Sequence, residues 1–313
     1  MTGHDLVRAV MVLLSWLSML LFAPRNVSAE VVQLDRTYSY GEMIDDINEL
    51  CSLYPGIVSY VSAGESMQGR DIPTVIVGNP DAPHSIMIQS SIHAREYIVS
   101  QTTMATVEYM ARMMSSGHPS DVVSNTCFYV VPMANPDGVI FSQTVSPAWK
   151  ANAAGVDLNR NFDCNWQHLR PKGAYFPCSE NFKGYGPETE NEVVALKELA
   201  QSREHDCYIS YHQQGDVIYY DDDCIEPHVS LWSRIVASAV RSVNGYCMFN
   251  LKTTNASGLT SMGGFTDWVQ VSLKKPAVTV ECGTRWGEDG QDQARSIFTR
   301  NKDSWLEVAK LFY

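Results

Sequence analysis

From residue 40 onward, short strand-like runs alternate with helix-length amphipathic segments, and this constrains the fold more than any other feature. "YGEMIDDINELCSLY" (40–54), "EYIVSQTTMATVEYMARMMSS" (96–116), "PETENEVVALKELAQS" (187–202), "VSLWSRIVASAVRSV" (229–243) and "QDQARSIFTRNKDSWLEVAKLF" (291–312) have helical length and period. In the third of these, 187–202, Pro187 stands at the first helical position with acids in the first turn. Between them, "HSIMIQSS" (84–91), "TCFYVVPMANPDG" (126–138), "CYISYH" (207–212) and "PAVTVECG" (276–283) read as strands, the second running into an Asn-Pro-Asp-Gly turn. Such alternation points to an α/β domain with a mostly parallel sheet. Residues 139–186 show no period, but they are rich in Trp, Asn, Arg and Phe. Long loops inside compact domains usually carry a site, so this stretch is expected to be ordered and functional.

The first 29 residues stand apart. Arg8, the apolar run 9–24 and the small residues of "VSA" (27–29) match a secretory leader cut before Glu30. Residues 30–313 are then one catalytic-size unit, exported to the cell envelope or medium, with no later run long enough to span a membrane. Without the leader, Lys and Arg number 21 against 34 Asp and Glu. That acidic balance argues against a nucleic-acid partner. A monomer is expected. All eight cysteines lie after the leader, so disulfides are expected, with Cys164–Cys178 the preferred pair. No C-x-x-C occurs, which speaks against a thiolate zinc site, and no G-x-S-x-G points to a serine nucleophile.

Ligands of open α/β sheets bind beyond the carboxyl ends of the strands. His93 follows one expected strand, His212 closes another, and Glu281 lies near the end of a third. Catalytic zinc takes three protein ligands and keeps one position open. His93 and Glu96 can face one ion from a tight turn, and His212 can reach it from a neighbouring strand. A lone H-x-x-E is a weak signal, and a strand-end histidine is often a hydrogen-bonded structural group. Asn135 and Asp137 read as turn formers, with Asp137 also a candidate acceptor behind His93. Arg160 has Asp157 and Asp163 as alternative partners.

"HARE" (93–96), "NPDG" (135–138), "GVDLNRNFD" (155–163), "SYH" (210–212) and "TVEC" (279–282), in that order, resemble the zinc metallocarboxypeptidases of the carboxypeptidase A superfamily. "WKANAAGVDLNRNF" and "SYHQQGDVIYY" are most similar to its bacterial branch of γ-D-glutamyl-diamino-acid peptidases, which cut cell-wall peptides. The resemblance implies a single-domain α/β/α sandwich around a mixed eight-stranded twisted sheet, and one zinc ion on His93, Glu96 and His212. It implies Glu281 as general base, and Asn159 and Arg160 as the clamp on the substrate's terminal carboxylate. It also implies substrate contact by Arg95. A guanidinium fork suits a carboxylate, and a carboxylate beside a metal-activated water suits proton transfer.

Three positions depart from the family pattern. Lys150, after Trp149, stands where an Arg assists the polarised carbonyl, and the same catalytic role is assigned to it. Leu259 occupies the position of the active-site Tyr. Thr266, at the base of the specificity pocket, is neither acidic nor a large apolar wall. The expected activity is hydrolysis of an amide bond beside a free carboxylate, on murein peptides bearing a diamino acid. The alternatives are a general metallocarboxypeptidase and a silent peptide-binding homologue. The acidic run 221–226 reads as a solvated loop, or as a contact for a substrate ammonium. Arg285 has no role.

Overall fold

Eight strands line up in the order β1-β2-β4-β3-β5-β8-β6-β7. Their ranges are β1 Val58–Glu65, β2 Asp71–Val77, β3 His84–Ser90, β4 Thr126–Val131, β5 Cys207–His212, β6 Val217–Tyr219, β7 Cys247–Phe249 and β8 Ala277–Glu281. The core of the sheet, β4-β3-β5-β8, is parallel, whereas β1-β2, β2-β4 and β6-β8 are antiparallel. This is the mixed α/β architecture expected. The computed structural model describes residues 30–117, 120–169, 172–220, 225–250 and 262–313. The leader, Leu259, Cys224 and most of the acidic run at 221–226 lie outside the described residues. Val31–Tyr313 form one compact unit. Among the described residues, no helix is long and apolar enough to cross a membrane.

The parallel strands are apolar on both faces because helices cover both. Ile86 and Ile88 of β3 point into a core shared with α1 (Tyr40–Leu53), α2 (Ile98–Ser115), α5 (Pro227–Asn244), α6 (Ala294–Asn301) and α7 (Ser304–Ala309). Met87, between them, points the other way. There it joins Leu196 of α4 (Asn191–Gln201), Tyr208, Phe162 and Phe265. Local signals agree with these positions. Ser39 and Glu42 form a reciprocal capping box at the start of α1, which buries Met43, Ile47 and Leu50 at helical spacing. Pro227 opens α5, and Gly245, in the left-handed region, closes it.

Four expectations need correction. Asn-Pro-Asp-Gly does not make a turn: Asn135 accepts from Gly138 N at 3.0 Å and caps α3 (Pro136–Thr144). Pro187 does not start α4, which begins at Asn191. The closing helix is broken into α6 and α7, and Tyr109 and Lys302 both bond Asp303 at the break. No disulfide joins Cys164 to Cys178. Cys164 is buried, Cys178 carries an unpaired exposed thiol, and no bridge is present among the described residues.

Candidate metal centre and active site

The carboxyl ends of β3, β5 and β8 lie side by side, and in the sheet register His212 is paired with Glu281. After β3 the chain turns sharply through Ser91, whose φ of 52° is left-handed and costs a non-glycine residue about 1–2 kcal/mol. Side-chain bonds hold the turn. Ser91 Oγ donates to Glu96 O at 3.1 Å, and Ser100 Oγ meets Ser91 Oγ at 2.6 Å. Asn135 Nδ2 donates to Ile92 O and Ala151 O at 3.1 and 3.2 Å. His93 and a short 3-10 turn, Ala94–Glu96, therefore emerge in a fixed orientation.

His93, Glu96 and His212 converge and are all buried. The two Nδ1 atoms are 3.2 Å apart, and each faces one oxygen of Glu96, at 2.8 and 2.9 Å. Donors around a tetrahedral zinc with bonds of about 2.0–2.1 Å sit roughly 3.3 Å apart. Two imidazole nitrogens and one carboxylate at this spacing, buried but open to a cavity on one side, fit such an ion. Burial would lift the Glu96 carboxyl, but His93 and His212 hold it well below the usual carboxylate range. Burial pulls the His212 pKa down, and bonding and charge from Glu96, then the charge of Glu281, outweigh it, so the net shift is upward.

Behind His93 stands Asp157, not Asp137. Asp157 Oδ1 is 3.2 Å from His93 Nε2, and its Oδ2 accepts from Lys150 Nζ at 2.7 Å. Burial raises the Asp157 carboxyl, but Lys150, His93 and Arg160 together hold it well below its ordinary pKa. Asp137 instead ties down the β1–β2 hairpin, taking Ser66 Oγ, Gln68 N and Arg70 Nη1. Residue order alone did not separate these two aspartates. The signal that could have done so is the position of Asp157 two residues before Asn159, within a motif already tied to the site.

A cavity of about 270 Å³ gathers His93, Arg95, Glu96, Lys150, Asn159, Arg160, Thr266 and Glu281, together with Tyr219, Asp267 and Thr279. Burial pushes the Glu281 carboxyl up to about 7; His212 works against this and Glu96 adds to it.

The family model for zinc carboxypeptidases matches residues 43–292. The chain belongs to the zinc carboxypeptidase family. It is accordingly a zinc metallopeptidase. A γ-D-glutamyl-L-diamino acid endopeptidase from Lysinibacillus sphaericus is 27% identical over 83% of this chain and 69% of its own length. A metallocarboxypeptidase A from Trichophyton rubrum is 30% identical over 66% of this chain, which spans about half of that relative, 54%. In fold, a carboxypeptidase A from Helicoverpa armigera superposes with a TM-score of 0.74 at 23% identity, over 89% of this chain and 75% of its own.

Within this zinc metallopeptidase, every residue expected at the site except His212 lines one cavity, but several arrive already paired. Asn159 Oδ1 accepts from Phe265 N at 2.9 Å, and Arg160 Nη1 donates to Asn159 O at 2.7 Å. Gly264 permits that approach: a Cβ there would stand 3.0 Å from Asn159 Oδ1. Thr266 Oγ1 meets Thr279 Oγ1 at 3.0 Å. Arg95 is held by Glu180. Arg285 is a surface partner of Asp292. Sequence reasoning missed Tyr219 and Thr279. Both were visible in the quoted "VIYY" and "TVEC", but only strand pairing, Tyr219 opposite Thr279, puts them on one wall.

Proposed function

We propose that the chain is exported and hydrolyses the amide bond before a carboxyl-terminal residue whose side chain is polar, as in a diamino acid of a cell-wall peptide. The observation that carries this is the chemistry of the cavity wall beside Arg160. Thr266 and Thr279 present hydroxyls there, with Tyr219 alongside. Asp267 is occupied in accepting from Gly264 N at 3.1 Å. That wall offers neither the large apolar surface an aromatic terminus needs nor an open carboxylate for a single basic group. Hydroxyls both donate and accept, so they can serve an ammonium and a carboxylate together. The likeness to the γ-D-glutamyl-L-diamino acid endopeptidase of Lysinibacillus supports the same class of substrate.

His93, Glu96 and His212 would hold the zinc, whose Lewis acidity acidifies water and polarises a carbonyl when bound. Asp157, with Oδ1 3.2 Å from His93 Nε2, stands where a carboxylate that orients a metal-bound histidine would stand. Arg160 and the N–H donors of Asn159 hold the terminal carboxylate. Glu281, in the same cavity, takes a proton from the attacking water and returns it to the leaving amine. Lys150 lines the cavity with its ammonium bonded to Asp157. In this reading it stabilises negative charge on the reacting carbonyl while keeping Asp157 ionised.

The test is product analysis with zinc-loaded protein on a γ-D-glutamyl-diaminopimelate tripeptide and on a blocked dipeptide ending in Phe. Cleavage of the first, with kcat/KM at least tenfold above the second, is expected. The reverse order would establish the general metallocarboxypeptidase reading, for which the fungal relatives speak. Binding of both without cleavage would establish the silent homologue. Export is checked separately: the secreted chain should begin at Glu30.

A further inference from the structure

A second cavity, of about 290 Å³, adjoins the first and shares Arg95 and Lys150 with it. Its other walls are the 146–151 segment and Cys178, Ser179 and Glu180, and it includes none of Asn159, Arg160, Thr266 or Glu281. The two cavities meet at Arg95 and Lys150, beside the His93 and Glu96 that line the first. With the terminal residue at the Arg160–Thr266 end of the first cavity, the second cavity offers the acyl part of the substrate a path past Arg95.

Arg95 is built into that wall. Its guanidinium lies over Trp286, 4.7 Å from the ring centre, and Nη1 donates to Ala148 O at 3.3 Å. Nε is buried and has no hydrogen-bond partner among the described residues. Nη2 holds one oxygen of Glu180 at 2.6 Å. The side chains are 17% exposed for Arg95 and 59% for Glu180. The cation is therefore fixed, and the anion is the movable member. An ion pair this exposed contributes little to stability, and a guanidinium has more donors than one carboxylate oxygen can use.

We propose that the second cavity, at its Arg95 wall, is a subsite for a free carboxylate on the acyl side of the scissile bond, with Glu180 an internal occupant that the substrate displaces. This rests on, and deepens, the cell-wall reading. A glutamyl residue linked through its γ-carboxyl keeps its α-carboxylate free on the acyl side, within reach of a cation there. An ordinary α-linked residue brings such a group only when its side chain is acidic.

Binding is measured by calorimetry on zinc-loaded Glu281→Gln protein with two pairs of peptides. One pair is γ-D-glutamyl-diaminopimelate with the α-carboxylate free or as the carboxamide. The other is an α-linked peptide with Glu or Gln on the acyl side. The acid member is expected to bind about tenfold more tightly than the amide in each pair, the scale of one charge-assisted hydrogen bond. Arg95→Gln should bring that ratio close to one. Glu180→Gln should widen it severalfold by tightening the acid alone. Equal affinities for acid and amide, or no binding of any of the four, overturns the subsite. Cleavage by the wild type is scored apart from binding. An acid preference in the α-linked pair, with no turnover of the γ-linked pair, would sink the cell-wall substrate and keep the subsite.

Discussion

Burial lifts the Glu281 carboxyl to about 7 in the metal-free protein, and this sets the expected pH profile. The group works as a base only when ionised, so kcat/KM should fall as pH drops through its pKa. A dication nearby favours the carboxylate, which puts the acid limb at or below about 7 in the loaded enzyme. Glu281→Gln should lower kcat by roughly 10²–10⁴ and leave zinc content at the wild-type level, as read by steady-state rates alongside metal analysis. Asp157 acts on the metal from behind. Asp157→Asn removes the charge facing His93 Nε2 and the partner of Lys150. It should weaken zinc binding by about 10–100-fold, measured by competition with a chromophoric chelator. The three metal ligands were legible because each sits at a strand end, where sequence order maps directly onto space. Asp157 was not, because it reaches His93 from a loop 64 residues further along the chain.

Elements with a strong period were easy to read, and those that fail a rule were not. β5 is buried along its whole length and β8 is built on β-branched Val278, Thr279 and Val280, and their expected and observed spans agree closely. β1 escaped notice because it is largely exposed at the sheet edge, and β2 because Pro73 interrupts it. β6 and β7 have three residues each, too few to show alternation. The Asn-Pro-Asp-Gly error has a physical source: an Asn side chain bonds a backbone N–H a few residues on in both a turn and a helix cap. Here the cap also positions the site, since the same amide holds Ile92 O and Ala151 O. Asn135→Ala would remove the cap and leave buried carbonyls without their donor. A loss of about 1–3 kcal/mol in urea unfolding is expected, with weakened zinc affinity because Ile92 leads into His93. Full stability with unchanged zinc binding would show that the turn is held by other contacts.

At the scale of the whole molecule, acid stability depends on groups that change protonation on unfolding. His205 is fully buried between Tyr129 and Tyr208, with Ser85 Oγ 2.9 Å from its Nδ1. Burial first, then the charge of Arg203, pushes its pKa down to about 4. An unfolded histidine titrates near 6.5. Between these values the unfolded chain binds a proton that the folded chain refuses. The contribution is therefore intact above about 6.5 and lost as pH falls toward 4, by on the order of 3 kcal/mol in all. Asp46 opposes it: burial raises its pKa to about 6, so its protonation favours the folded state over an overlapping range. Zinc adds a term with the same sign as His205, because protons compete for its ligands. The histidine's share is isolated by comparing metal-free wild type with metal-free His205→Gln in thermal melts from pH 7.5 to 4.5. Asp46 acts equally in both and cancels. The difference in Tm between the two proteins should shrink steadily on acidification, because only the wild type loses the neutral-imidazole contribution. Parallel curves would mean that His205 is charged in the folded protein, and that its pocket is wetter than its 0% exposure implies.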